Sequence, residues 1–267
     1  MTAQRSNRFK RGKHVAVSIE AAAQTDVGCV RSNNEDCFGI DKELQVYIVC
    51  DGMGGSVGGE IASRVGVDAF LRSLRQNRYA TSESSREPLV QAAVAANVAV
   101  LARAQVEPAL HGMGATLVAA QIENSRLQVV NIGDSRAYVV RQAKCTQVTV
   151  DHSYLQEQVR LGFMTQAMAD QSPMQSVITR AIGMQDGVVP DLFTLDLEDG
   201  DLILLTTDGL TRHVSDEDIA EVVTGAGETG AGGTDDLDTR CSRLIELAKR
   251  RGGSDNVTCI LLQHSSL

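Results

Sequence analysis

Runs dense in valine, isoleucine and leucine recur along the chain: "LQVYIVC" (44–50), "ATLVAAQI" (115–122), "RLQVVNI" (126–132), "RAYVVR" (136–141), "DLILLTT" (201–207) and "NVTCILLQ" (256–263). Each is short and bounded by polar or glycine-containing turns, the pattern of strands covered on at least one face. Segments 115–150 read as consecutive antiparallel strands with turns at "ENS" and "GDS". Between these blocks the period changes. From about Glu60 to Gln76 a narrow charged stripe (Arg64, Asp68, Arg72, Arg75) runs along an otherwise apolar or small surface, and 88–106 is apolar almost all round, which marks a buried helix. A third helix starts behind Asp235 and Asp236 and ends at Lys249, Arg250, Arg251 and Gly252. Those charges match the helix dipole, and the glycine suits the C-terminal cap. "GAGETGAGG" (225–233) reads as a loop. Strands in blocks, without strict βαβ alternation, predict an α+β fold with helices packed outside antiparallel sheets.

With 267 residues, 43% of them hydrophobic, the chain can bury one large core or two small ones. A formal net charge of −9 argues against a nucleic-acid partner, which needs an excess of Lys and Arg. Tryptophan is absent and aromatics make up 3%, which disfavours stacking on single strands. The basic stretch "MTAQRSNRFKRGKH" is followed by no apolar segment, so it is not read as a secretory signal. Residues 1–21 are expected to form a flexible basic tail and 22–265 a single domain. No run is read as reaching the ~18 apolar residues of a membrane span. Cys29, Cys37, Cys50, Cys145, Cys241 and Cys259 form no CxxC pair, and no histidine stands near them at zinc spacing. They are expected to be reduced thiols of a cytoplasmic protein.

The chemistry concentrates where strands end. "IVCDGMGG" (48–55) closes an apolar run with one carboxylate and a burst of glycines. It is not a dinucleotide cradle, because Val57 stands where G-x-G-x-x-G needs glycine, and it lacks the lysine of a P-loop. Asp51 follows one strand, Asp208 another; Asp255 precedes a third, and Asp134 sits between two more in "NIGDSR". Any one of these acids could simply cap a turn. Together they suggest one rim, and carboxylates so crowded require cations or raised pKa values. Ligands that are all oxygen select Mg²⁺ or Mn²⁺ over zinc. Arg31 stands four and five residues ahead of Glu35 and Asp36, where its guanidinium could hold a tetrahedral oxyanion or form a salt bridge within its loop.

"TDVGCVRSNNED", "CDGMGG", "MGATL", "NIGDSRAYVVR", "TTDGL" and "GGSDNVT", in that order over residues 22–263, resemble the motif set of the bacterial metal-dependent serine/threonine protein phosphatases, the protein phosphatase 2C family. The resemblance implies a central antiparallel β-sandwich flanked by α-helices on both sides. It implies Asp51 as a carboxylate bridging two metals, the Gly52 carbonyl as a ligand of one, and Asp208 and Asp255 as ligands of the other. Asp134, shared with Asp208, would hold a weaker third ion. Glu35, Asp36 and Thr116 would position waters, and Arg31 would bind phosphate. The cofactors implied are Mn²⁺ or Mg²⁺, two tight and one weak. The partners implied are proteins phosphorylated on serine or threonine and a cognate kinase, with the enzyme a monomer. Met53 stands where animal relatives carry a histidine acid, so a water on the third ion is expected to protonate the leaving group. The flap at about 155–183 departs from the family: Ser172 and Gln175 replace its histidine and arginine. His152 is expected to be structural, and His213 lies near the rim without an assigned role. Two alternatives are a non-catalytic phosphoprotein-binding relative and another metal-dependent phosphomonoesterase. The intact acid set weighs against the first. Met53, two residues after Asp51, weighs against a haloacid-dehalogenase-type site, which needs a second Asp there.

Overall fold

The computed structural model describes residues 17–77, 87–172, 174–225 and 236–266, with the side chains of 55–57 and 170 outside that description. The chain runs β1 (Val17–Asp26), β2 (Cys37–Asp41), β3 (Val46–Cys50), β4 (Gly52–Met53), α1 (Gly55–Asn77) and α2 (Pro88–Val106). It continues through β5 (Gly114–Ala115), β6 (Leu117–Glu123), β7 (Arg126–Ile132), β8 (Arg136–Arg141) and β9 (Lys144–Gln147). Then come α3 (Tyr154–Arg160), α4 (Gln166–Asp170), β10 (Asp191–Asp196), β11 (Leu202–Thr206), α5 (Asp208–Thr211), α6 (Asp216–Thr224), α7 (Leu237–Arg250) and β12 (Val257–Ser266).

Two five-stranded antiparallel sheets face each other, in the orders β1-β12-β11-β8-β9 and β10-β7-β6-β3-β2. Their interior strands carry nearly continuous apolar runs because both faces are covered. Along β3, Tyr47 and Val49 point into the sandwich against Val118, Ile203 and Ile260, while Val46, Ile48 and Cys50 point outward under the helices. On that outer side α1 and α2 supply Phe70, Leu74, Leu89, Ala93 and Ala96. On the opposite face α6 and α7 bury Ile219, Val223, Cys241, Leu244 and Ile245 against Tyr138, Leu204 and Leu261. The result is the helix-flanked sandwich expected from the motifs.

Three expectations change. Segments 115–150 are not one meander: β6–β7 and β8–β9 are hairpins, but the turn between β7 and β8 crosses from one sheet to the other. Both hairpins turn on two residues at positive φ, Asn124 with Ser125 and Gln142 with Ala143, which matches strand twist. The supposed tail ends earlier than residue 21, because 17–21 are paired in β1 through a register that begins Val17↔Ser266. The rest of that stretch, 1–16, lies outside the described residues, as does most of the loop at 225–233.

The third concerns α2, whose 19 residues are long and apolar enough to cross a bilayer by composition alone. Here it docks on α1 and the sheet instead. Asn97 is part of that docking: buried at mid-helix, it donates to the Gln185 carbonyl (3.0 Å) and accepts from Gly183 N–H (2.8 Å). Helix α1 starts earlier than periodicity suggests because its first turn is glycine-rich. A Cβ on Gly59 would lie 2.5 Å from the Glu35 carboxylate, so close approach to the rim demands the poor helix former. Helix α7 ends as its glycines predict, with Gly252 N–H bonded to Lys249 O and Gly253 N–H to Ala248 O.

Candidate metal centre

Strand register brings the separated acids to one end of the sandwich. β1 ends at Asp26 opposite Val257, where β12 begins, and β11 ends at Thr206 opposite Cys259 on one side and Arg136 on the other. β3 pairs Val49 with Val118, and β6 pairs Leu117 with Ile132, so Asp51 and the Asp134 turn come to the same edge. Arg31, Glu35, Asp51, Gly52, Thr116, Asp134, Asp208 and Asp255 line one cavity of about 450 Å³, together with Met53 and Arg212. Of the expected site residues only Asp36 is behind the wall, buried beneath it.

Hydrogen bonds hold these loops in register. Thr116 Oγ1 accepts from Asp51 N–H (2.9 Å) and lies 2.6 Å from Ser135 Oγ, tying the end of β3 to the Asp134 turn. It therefore braces the two acid-bearing turns from the cavity wall. Asp36 accepts from Thr207 (2.9 Å) and Thr258 (2.7 Å), joining its loop to β11 and β12. Asn256 does most of the stitching: its amide donates to Val27 O (3.0 Å) and Asn33 O (2.9 Å) and accepts from Glu35 N–H (2.8 Å). Gly209 lets α5 press on this loop, since a Cβ there would lie 1.9 Å from Asn256 O.

The two histidines serve neighbouring loops. Buried His152 accepts from Gly133 N–H (3.1 Å) and pairs with Asp191 (3.1 Å), fixing the Asp134 turn as a structural residue does. His213 reaches Ser254 (2.9 Å) and so steadies the loop bearing Asp255.

Burial dominates the electrostatics. It raises Asp36 and Asp134 to about 7 and Asp51 well above the usual carboxylate range, with neighbouring carboxylates adding to each. Glu35 is raised by burial too. For Asp208, burial outweighs the lowering by Arg212. Two guanidiniums offset the charge: half-exposed Arg31 bonds Asp255 at 2.9 Å, and Arg212 holds Asp208. Arg31 thus pairs across the fold, and not within its own loop. Among the described residues no three acidic, histidine or cysteine side chains converge closely enough to grip one ion. The acids ring the cavity, two of them held by arginines.

The site nonetheless fits a hard divalent cation. Its donors are oxygens, their mutual repulsion asks for positive charge, and Asp36 Oδ1 and Asp208 Oδ1 are buried without a hydrogen-bond partner. Sequence reasoning missed Asn256, Thr207, Thr258 and Ser135, whose partners are distant in sequence. It also missed Arg212, which was legible: "DGLTR" places an acid and a base four residues apart at a helix.

A helix-flanked sandwich whose end is ringed by carboxylates, with arginines in the same cavity, combines oxygen donors for a hard cation with positive charge for an anion. Residues 30–232 match the protein phosphatase 2C family, and the chain belongs to it. It is 37% identical over 247 residues to the serine/threonine protein phosphatase PstP of Mycobacterium tuberculosis, covering 92% of this chain but 45% of that protein. To the putative protein phosphatase 2C-type of Streptococcus pyogenes it is 33% identical over 251 residues, 93% of this chain and 98% of that one. The chain thus spans about half the length of one curated relative and nearly all of another. A crystal structure of the PstP catalytic domain in complex with two manganese ions superimposes with a TM-score of 0.79 at 34% identity, over 94% of this chain and 100% of that one.

Proposed function

We propose that the protein is a divalent-cation-dependent phosphatase acting on phosphoserine and phosphothreonine in proteins. The observation that carries this reading is the ring of buried and half-buried carboxylates around a cavity that also holds Arg31. Asp51, Asp208, Asp255 and the Gly52 carbonyl would hold two ions, Mn²⁺ or Mg²⁺, and Asp134 with Asp208 a weaker third. When bound, such ions supply an activated water nucleophile and positive charge for the phosphoryl oxygens.

The chain's own residues do the rest. Arg31, on an exposed loop beside Asp255, orients the phosphoryl group with paired hydrogen bonds. Glu35 faces the cavity and holds water or a proton there, while Thr116 and Asp36 keep the acid-bearing loops in place. Met53 lines the cavity and has no proton to give, so the leaving alkoxide takes its proton from water. Relatives carrying Ser/Thr phosphatase names support a protein substrate and a kinase that this enzyme opposes. Six free cysteines support a reducing, cytoplasmic setting. One chain supplies every site residue and helices already cover both outer faces, which supports a monomer.

The decisive experiment is hydrolysis of a phosphothreonine peptide with Mn²⁺ and with EDTA. Mn²⁺-dependent phosphate release is expected; none under any divalent ion would sink the reading. Arg31→Ala is expected to raise KM roughly tenfold, the scale of a hydrogen bond to a charged group, with a smaller fall in kcat. Its exposed pairing with Asp255 contributes little to stability, so the melting temperature should hardly move. Unchanged KM and unchanged inhibition by inorganic phosphate would return Arg31 to a salt-bridge role.

A further inference from the structure

The two cavity arginines are held differently. Arg31 reaches in from an exposed loop, whereas Arg212 rises from beneath, directly after α5 and four residues past Asp208, a spacing that puts both on one helix face. Its Nε lies 2.9 Å from Asp208 Oδ2, and a terminal nitrogen bonds the same oxygen. The other terminal nitrogen is 3.9 Å from Asp255 Oδ2, and Asp134 lines the same cavity. A guanidinium therefore stands among three carboxylates that the proposed function assigns to cations. It carries its charge at every working pH, so protonation cannot remove it. It also has somewhere to go: a second cavity of about 270 Å³ adjoins the first, is lined by Asp134, Asp151, Thr211 and Gln175, and shares Arg212 as a wall.

We infer that Arg212 is a built-in counter-cation of the carboxylate ring, steadying the ring when no divalent ion is bound and competing with the ion for Asp208 and Asp255. The inference rests on the proposed metal-dependent function. Carboxylates this close need compensating charge, and Arg212 provides part of it from within the chain. A bound cation must displace that charge or share the carboxylates with it. The ion held by Asp208 and Asp134 is then the last to fill, and its affinity is set by the residue four places beyond Asp208.

The test is calorimetric titration of Mn²⁺ into EDTA-treated, desalted wild type, Arg212→Gln and Arg212→Lys, with thermal melts of each in EDTA. Removing a full charge at ~4 Å is expected to tighten the weakest Mn²⁺ site of Arg212→Gln on the order of tenfold, even after discounting for solvent. The same variant should melt lower in EDTA, because the ring has lost its counter-charge. Arg212→Lys keeps the charge and should stay within about threefold of wild type; it also carries the test should Arg212→Gln fail to fold in EDTA. Unchanged or weaker Mn²⁺ binding by folded Arg212→Gln would overturn the inference, as would a Lys variant that binds as tightly as the Gln variant. Uptake by Arg212→Gln but not by wild type supports the inference, whereas identical uptake by both overturns it and leaves the metal reading standing. No uptake by either protein overturns both.

Discussion

Asp51→Asn is expected to cut Mn²⁺-dependent phosphopeptide hydrolysis on the order of 10²- to 10³-fold, the loss seen when one preorganised charge-stabilising group is removed from an active site. The side chain is placed by the end of β3, by the Thr116 hydroxyl on its own N–H, and by Thr116 N–H on its carbonyl (2.8 Å). None of these contacts uses the carboxylate, so the variant should fold. In EDTA it should be more stable than wild type. Burial and the carboxylates of Asp36, Asp208 and Asp134 raise Asp51 well above its ordinary value, so ionising it costs folding free energy. The sign follows. Wild type keeps its full stability below the unfolded value near 3.8 and loses some as pH rises through the raised folded value, whereas asparagine does not titrate. The melting-temperature gap between variant and wild type should therefore open with rising pH and close in acid. Near-wild-type turnover, or a gap that widens toward low pH, would remove Asp51 from the metal ligands.

Asn256→Ala should give the largest loss of stability among substitutions at the rim. The residue is 5% exposed, and its amide satisfies the carbonyls of Val27 and Asn33 and the N–H of Glu35. Stranding three partly buried backbone groups costs roughly 3 kcal/mol, at the lower end of the range per group because water reaches some of them. For a domain of this size that corresponds to a fall of roughly 6–12 °C in melting temperature. The loop carrying Arg31 and Glu35 would lose its anchor to β12, so KM should rise along with the loss of stability. Asn256→Asp keeps the acceptor but turns a carboxylate oxygen toward the Val27 and Asn33 carbonyls beside Asp255, so it should not rescue the loss. A shift under about a degree would mean that water replaces all three bonds.

What the sequence disclosed follows burial. The six strands visible as apolar runs are the six interior strands β3, β6, β7, β8, β11 and β12, each with neighbours on both sides. Of the strands it hid, β1, β2, β9 and β10 are the edges of the two large sheets, where "VSIEAAAQTD" or "KCTQ" faces partly to water and keeps no clean alternation, and β4 and β5 are two-residue strands paired only with each other. The cross-sheet turn at Asp134 was hidden for a different reason: "GDS" suits a hairpin as well as a crossover, and only packing decides. The acids themselves stood out because each falls at the end of a visible strand. Their braces did not, since a threonine such as Thr258 inside an apolar run carries no mark of the aspartate it will meet 222 residues away.

The placement of β12 shapes the protein's biosynthesis. This strand lies between β1 and β11 and leads in from Asp255, so one sheet stays open at its middle and the rim lacks an acid until the strand has been made. β1 leaves the ribosome well before its partner and waits with an unpaired edge until β12 has been made. Contacts this distant along the chain form slowly, because loop closure must precede any gain from pairing. The nascent chain therefore lacks the full carboxylate ring until β12 has been made. The waiting β1 edge is the segment on which a chaperone, or a neighbouring nascent copy, would act.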